Sequence, residues 1–176
     1  MRLDGKVAMV TGSTRGIGRS IAEALAVAGA TVAVIGRDQA RAAHAAGEIG
    51  HGAQGFACDV TSAEAVDAAV ASIEKALGPI DILVNNAGVT KDNVFLRLSD
   101  VDWDLVLEAN LKGAFRTIRA ASRGMIKKRW GRIINISSVV GLIGNKGQAN
   151  YTMEFGHYQA VPNAIAEQII AKAQGN

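Results

Sequence analysis

TGSTRGIG, residues 11–18, stands between the apolar run KVAMV at 6–10 and a helical pattern from Ile17 to Ala28. Its glycines fall at Gly12, Gly16 and Gly18. A strand feeding a glycine-rich turn that opens a helix leaves free N–H groups and a partial positive charge at the turn. Glycine lets the backbone approach a pyrophosphate closely, and the helix N-terminus attracts the anion. A glycine cluster alone reads equally as a tight turn; the strand before it and the helix after it make this a phosphate cradle. The candidate contacts in the turn are Gly12, Ser13, Arg15, Gly16, Ile17 and Gly18.

Outward from this turn the chain alternates. Apolar runs at 31–35, 53–58, 80–86 and 131–138 read as further strands. The alanine-rich stretch 39–49, a stretch ending at Leu77 and the long stretch 98–128 read as helices. Thr61 with Glu64 three residues on gives a capping box for the helix ending at Leu77, and the 98–128 stretch should break near Lys112-Gly113. Near-continuous apolar strands alternating with helices predict a parallel sheet covered on both faces, an α/β doubly wound fold. Ligands of such sheets bind beyond the carboxyl ends of the strands. That directs attention to 11–18, 36–38, 59–60, 85–89 and 137–151.

Composition narrows the function classes. The chain has 176 residues, 49% of them apolar and 20% charged, the mix of an ordinary single globular domain. A net charge of +3, without a basic stripe interleaved with aromatics, does not point to nucleic acid. No apolar run has the length of a membrane span, and the first ten residues do not read as a signal peptide. The single cysteine, Cys58, makes neither an internal disulfide nor a zinc site, so a reducing compartment, the cytoplasm, is expected.

Further segments make the chain resemble the short-chain dehydrogenase/reductase family. Asp59-Val60 matches the pair that contacts the adenine. NNAG at 85–88, with Asn86, Ala87 and Gly88, matches the segment after the fourth strand that supports the cofactor. Asn110 in EANLKGAF matches the helix asparagine of the catalytic set. NISSVVG at 135–141 supplies the active-site serine, Ser138, and Tyr151 follows thirteen residues later at the family spacing. The resemblance covers residues 5–151 and implies a Rossmann domain over 1–151. Within the family, NNAGVTKDNVFLRLSDVDWD, GMIKKRWGRIINISSVVG and GNKGQANY are most similar to 3-oxoacyl-acyl-carrier-protein reductases. That implies reduction of a 3-ketoacyl thioester of fatty-acid synthesis, carried on acyl carrier protein. It also implies a homotetramer with the 98–128 helices at the main interface. Lys127-Lys128-Arg129 would either dock the acidic carrier or form a solvated helix end.

The second strand bears on the cofactor. It ends Ile35-Gly36-Arg37-Asp38. Gly36 leaves room for a phosphate, and Arg37 with Arg15 offers guanidinium forks to a 2′-phosphate, favouring NADP(H). Asp38 turned inward would favour NAD and an NAD-linked hydroxy-dehydrogenase; it is expected to cap the next helix instead.

Past Tyr151 the pattern departs from the family. The position four residues after the tyrosine carries the family's lysine and here holds Phe155. By the resemblance, Ser138 holds the carbonyl oxygen, Tyr151 donates the proton, the lysine lowers the tyrosine pKa, and Asn110 supports a water linked to the lysine. A tyrosine with a pKa of about 10 is protonated at neutral pH and still donates. Each unit of pKa lowering forgone costs about 1.4 kcal/mol of tyrosinate stabilisation. Residues 152–176 read as an atypical tail in which 160–173 resembles the family's substrate-covering helix, with 153–159 bridging a deletion or belonging to a remodelled or incompletely represented chain. The C-terminal part is thus shortened relative to the family, which should uncover one edge of the sheet and favour self-association. The alternative to an active enzyme is a nucleotide-binding remnant or scaffold.

Overall fold

The computed structural model describes residues 2–91 and 97–138. Tyr151, Phe155 and the stretch 160–173 that resembles a covering helix lie outside the described residues. The order is β1 (Val7–Val10), α1 (Gly16–Val27), β2 (Thr31–Gly36), α2 (Gln39–Ile49), β3 (Gln54–Ala57), α3 (Ala63–Leu77), β4 (Ile82–Asn85), α4 (Asp100–Leu107), a π-turn (Glu108–Lys112), α5 (Gly113–Lys128) and β5 (Arg132–Asn135). The strands form a parallel sheet in the order β3-β2-β1-β4-β5.

The helices divide between the two faces. Ala22 and Ala26 of α1 and Ala45, Ala46 and Ile49 of α2 pack on Ala8, Val10, Val32 and Val34. Val66, Val70 and Ile73 of α3 and Ala121 and Met125 of α5 pack on Met9, Ile35 and Leu83. Alternate residues of β1 therefore enter opposite cores, and the strand reads as continuously apolar because both sides are covered. Small alanines face the sheet from α1 and α2, which lets these helices lie close. Gly55 of β3 is the extreme case, since a Cβ there would run into the Ala42 backbone.

Two local expectations shift. Helix α3 is capped by Ser62, not Thr61: Ser62 Oγ accepts from Ala65 N at 3.1 Å, while the Thr61 hydroxyl donates to Asp59 Oδ1 at 2.7 Å. Asp59 claims the threonine and moves the helix start on by a residue. The expected break in the 98–128 stretch takes the form of the π-turn, which ends at Lys112. Such insertions concentrate at functional sites.

At the opposite end of the sheet, Asp81 fastens three strands. Its carboxylate is buried, accepts from Val7 N at 3.0 Å and pairs with Lys128 Nζ at 2.8 Å. Its carbonyl accepts from Arg132 N at 2.9 Å. Lys128 also donates to Pro79 O, so the middle of the 127–129 basic run is a structural tie at the end of the sheet away from the glycine turn.

Candidate cofactor and catalytic site

The order β2-β1-β4 makes the gap between the loops after β1 and β4 the topological switch point. Thr11, buried at the end of β1, closes the floor of that crevice. Its hydroxyl accepts from Asn86 N and Ala87 N, each at 3.0 Å, and faces Val84 O at 3.4 Å. The Asn86 amide returns two hydrogen bonds, to Thr11 O at 3.0 Å and Gly12 O at 3.1 Å. The glycine turn and the NNAG segment are thereby sewn into one surface. Thr11 was absent from the sequence candidates; its signal was a polar residue directly after a fully apolar strand.

The glycines divide by role. A Cβ on Gly12 would lie 2.9 Å from Ala87 Cα, and one on Gly18 would fall on Asn86 Nδ2 and Gly12 O. Both let the turn, helix and NNAG loop close together. Gly16, at φ +58°, faces open space with nothing within 4 Å of its missing Cβ. Helix α1 starts with no side-chain cap and no acidic residue in its first turn, whereas Asp38, Ser62 and Ser99 cap α2, α3 and α4. An uncapped helix start beside an open glycine fits a bound pyrophosphate, which would take the place of the cap. Ile17, 69% exposed, borders the same opening. Arg15 is exposed on the turn. Ser13 is buried, with its hydroxyl donating to Val10 O at 2.6 Å and accepting from Ile35 N at 2.9 Å, so it joins the turn to β1 and β2.

At the end of β2, Asp38 caps α2 as expected, accepting from Arg41 N at 2.8 Å. Arg37 is exposed and lies close enough to Asp59 to help lower its pKa. The main cause of that lowering is the pair of hydrogen bonds from Thr61 N and Thr61 Oγ1. A Cβ on Gly36 would lie 2.5 Å from Thr14 Cγ2, so the glycine also makes room for the turn above it. Val60, next to Asp59, packs against the start of α5, where a Cβ on Gly113 would lie 3.0 Å from Val60 Cγ2.

The catalytic candidates are brought together in part. Asn110 lies in the π-turn and clamps the NNAG loop: its Oδ1 accepts from Val89 N at 2.8 Å and its Nδ2 donates to Val89 O at 2.9 Å. Gly88 permits this, since a Cβ there would press on Asn110 Oδ1 at 3.1 Å. Ser138 follows β5 on the carboxyl end of the sheet and is exposed. Tyr151 lies outside the described residues. A polar set that sequence reasoning missed stands beneath, with Thr117 and Asn85 buried: Thr117 Oγ1 donates to Asn85 Oδ1 at 2.6 Å, and Asn85 Nδ2 donates to Asn135 Oδ1 at 2.9 Å. It ties α5, β4 and β5 just below the segments that carry Asn86 and Ser138. Among the described residues no group of three or more His, Cys, Asp or Glu side chains is placed to hold a metal.

Comparison with known proteins agrees with this geometry. The family model for short chain dehydrogenase matches residues 6–153. The chain belongs to the short chain dehydrogenase family. It is 52% identical over 156 residues to the 3-oxoacyl-[acyl-carrier-protein] reductase FabG of Aquifex aeolicus, covering 86% of this chain and 63% of that protein. It is 48% identical over 172 residues to the protein of the same name from Vibrio harveyi, and 40% identical over 172 residues to that from Escherichia coli, covering in each case 98% of this chain and 70% of the relative. The chain thus spans about two thirds of the length of these relatives. The short chain dehydrogenases are oxidoreductases that use a nicotinamide cofactor, and the cradle between β1 and β4 has the form such a cofactor requires. No helix among the described residues is long and apolar enough to cross a membrane.

Proposed function

We propose that the chain is an NADPH-dependent reductase of 3-ketoacyl thioesters, with the substrate presented on acyl carrier protein. The observation that carries the nucleotide half is the uncapped start of α1 beside the open Gly16, stitched through Thr11 and Asn86 to the NNAG loop. The names of the relatives in Aquifex, Vibrio and Escherichia support the substrate half. Gly12, Gly16, Gly18 and the first turn of α1 would hold the pyrophosphate, with Ser13 fixing the turn from below. Ile17 would border the nicotinamide side. Asp59 and Val60 would line the adenine, and Asn86, Ala87 and Gly88 the adjoining ribose and nicotinamide.

NADP(H) rather than NAD is supported by Asp38, whose carboxylate is engaged as a helix cap, and by the exposed guanidiniums of Arg37 and Arg15. When bound, the reduced nicotinamide supplies the hydride. The chain's own residues do the rest: Ser138 holds the carbonyl oxygen, Tyr151 gives it a proton, and Asn110 keeps the NNAG loop against the π-turn. Exposed Val101, Leu105, Leu111 and Phe115 along α4, the π-turn and the start of α5 support a homo-oligomer built on these helices.

Phe155 favours a second reading, a cofactor-binding chain with little turnover. Without a lysine at that position, much of the 10²–10⁴-fold typical of a positioned proton donor is lost. Titration with NADPH followed by nicotinamide fluorescence, with a 3-ketoacyl thioester then added, separates the two. Binding followed by loss of reduced-nicotinamide absorbance supports the reductase. Binding without turnover supports the second reading, with Phe155→Lys expected to raise the rate. Absence of binding sinks both.

A further inference from the structure

The two ends of the proposed dinucleotide site are joined behind the cofactor by one arginine. Arg116, in the first turns of α5, has a largely buried side chain. One arm of its guanidinium pairs with Glu108 in the π-turn, and the other reaches Val60 O at 3.5 Å. Glu108 is held on its second oxygen by Lys112 Nζ at 2.9 Å, and its carboxyl is kept below the usual range first by Lys112 and then by Arg116. The bond to Val60 O is long, but Gly113 seats Val60 against the same turn of helix. From Glu108 the π-turn runs directly to Asn110, which clamps Val89. A continuous path therefore leads from Asp59-Val60 through Arg116 and Glu108 to the loop after Gly88.

We infer that Arg116 is a positioning residue that fixes the spacing between the adenine-lining segment at 59–60 and the loop at 86–89, so that one dinucleotide engages both at once. The planar fork of Arg116 holds the two protein segments, at Val60 O and Glu108, which a lysine ammonium does not reproduce. This rests on the assignment of those two segments to the cofactor. Losing the fork should leave each segment able to meet its own half of the ligand, and should penalise only a ligand that must span both.

The test compares Arg116→Met and Arg116→Lys with the unaltered chain, using NADPH and, as a half-ligand, adenosine 2′,5′-bisphosphate. Loss of a charged hydrogen-bonding group is expected to weaken NADPH about tenfold in Arg116→Met, with the half-ligand changed by less than threefold and Arg116→Lys close to Arg116→Met. Equal weakening of both ligands would mean local damage at Val60 and would overturn the inference, as would unchanged NADPH affinity. Amide hydrogen exchange on the ligand-free variants decides the same question without cofactor. Faster exchange in Arg116→Met at both 59–62 and 88–90 supports the coupling, and a change confined to 108–116 overturns it. If the unaltered chain binds neither ligand, the proposed function fails on its own, and the exchange result still decides the coupling.

Discussion

At the β3 edge of the sheet, Gln39 lays its carboxamide along the outer backbone of the strand. It donates to Gly55 O at 2.9 Å and accepts from Ala57 N at 2.8 Å, as a neighbouring strand would. At the β5 edge, Ile134 is 45% and Ile136 39% exposed, and among the described residues the strand pairs with β4 alone. An edge strand with free backbone groups is a template for further pairing, and a side chain that occupies those groups removes it. The β3 side, which carries Asp59, is closed by residues of the first 91. The β5 side, which presents Ser138, ends the sheet among the described residues. Asp59, proposed for the nucleotide, thus lies toward the closed β3 edge, and Ser138, proposed for catalysis, toward the β5 edge.

The contrast can be broken at its anchors. Lys128→Met would leave the Asp81 carboxylate buried without its cation where β1, β4 and β5 begin. Removing one partner of a fully buried pair costs about 3–5 kcal/mol; with Lys128 partly exposed, a loss of about 2–3 kcal/mol is expected in urea unfolding. Asn85→Ala comes next, because it removes the side chain that links α5 to β5 through Thr117 and Asn135. A loss of about 2 kcal/mol is expected, with amide exchange rising in β5 more than in β2 or β3. An even rise across the sheet would argue against a special dependence of the β5 edge on this tie.

Substitutions at the two edges sharpen the comparison with smaller effects. Gln39→Ala should cost about 1 kcal/mol and increase self-association in sedimentation, since it bares the β3 edge. Ile134→Lys should change stability by less than about 0.5 kcal/mol and reduce self-association. If both variants sediment like the unaltered chain, neither edge governs association. The smallest effect concerns Asp59, held below the usual carboxylate range by Thr61. A lowered carboxylate pKa contributes stability that is present above the unfolded value, about 3.9, and is lost as pH falls through the lower folded value. Asp59→Asn should therefore lower stability slightly at neutral pH, with the difference from the unaltered chain disappearing as pH falls below about 4.

Most of the nucleotide cradle was legible in the sequence because its residues are contiguous with the strands that position them. The turn at 11–18 lies between an apolar run and a helical pattern, and Asp38 sits where a helix cap belongs. The contact of Gly36 with Thr14 was not legible, because the two residues meet only in the folded sheet. The Thr117, Asn85 and Asn135 set was invisible for the same reason. It depends on the β4–β5 register, which places Asn85 opposite Asn135, and on a helix that arrives from the other face. The cap at Ser62 was missed by a residue because Thr61 had a nearer partner in Asp59.

The most direct test is a titration of the 176-residue chain with NADPH and, in parallel, NADH, followed by nicotinamide fluorescence. The account predicts saturable binding of NADPH, with NADH weaker by about tenfold or more for the loss of a charged phosphate contact. Saturable binding of neither would contradict the central claim that the side of the sheet closed by the first 91 residues is a working nucleotide site.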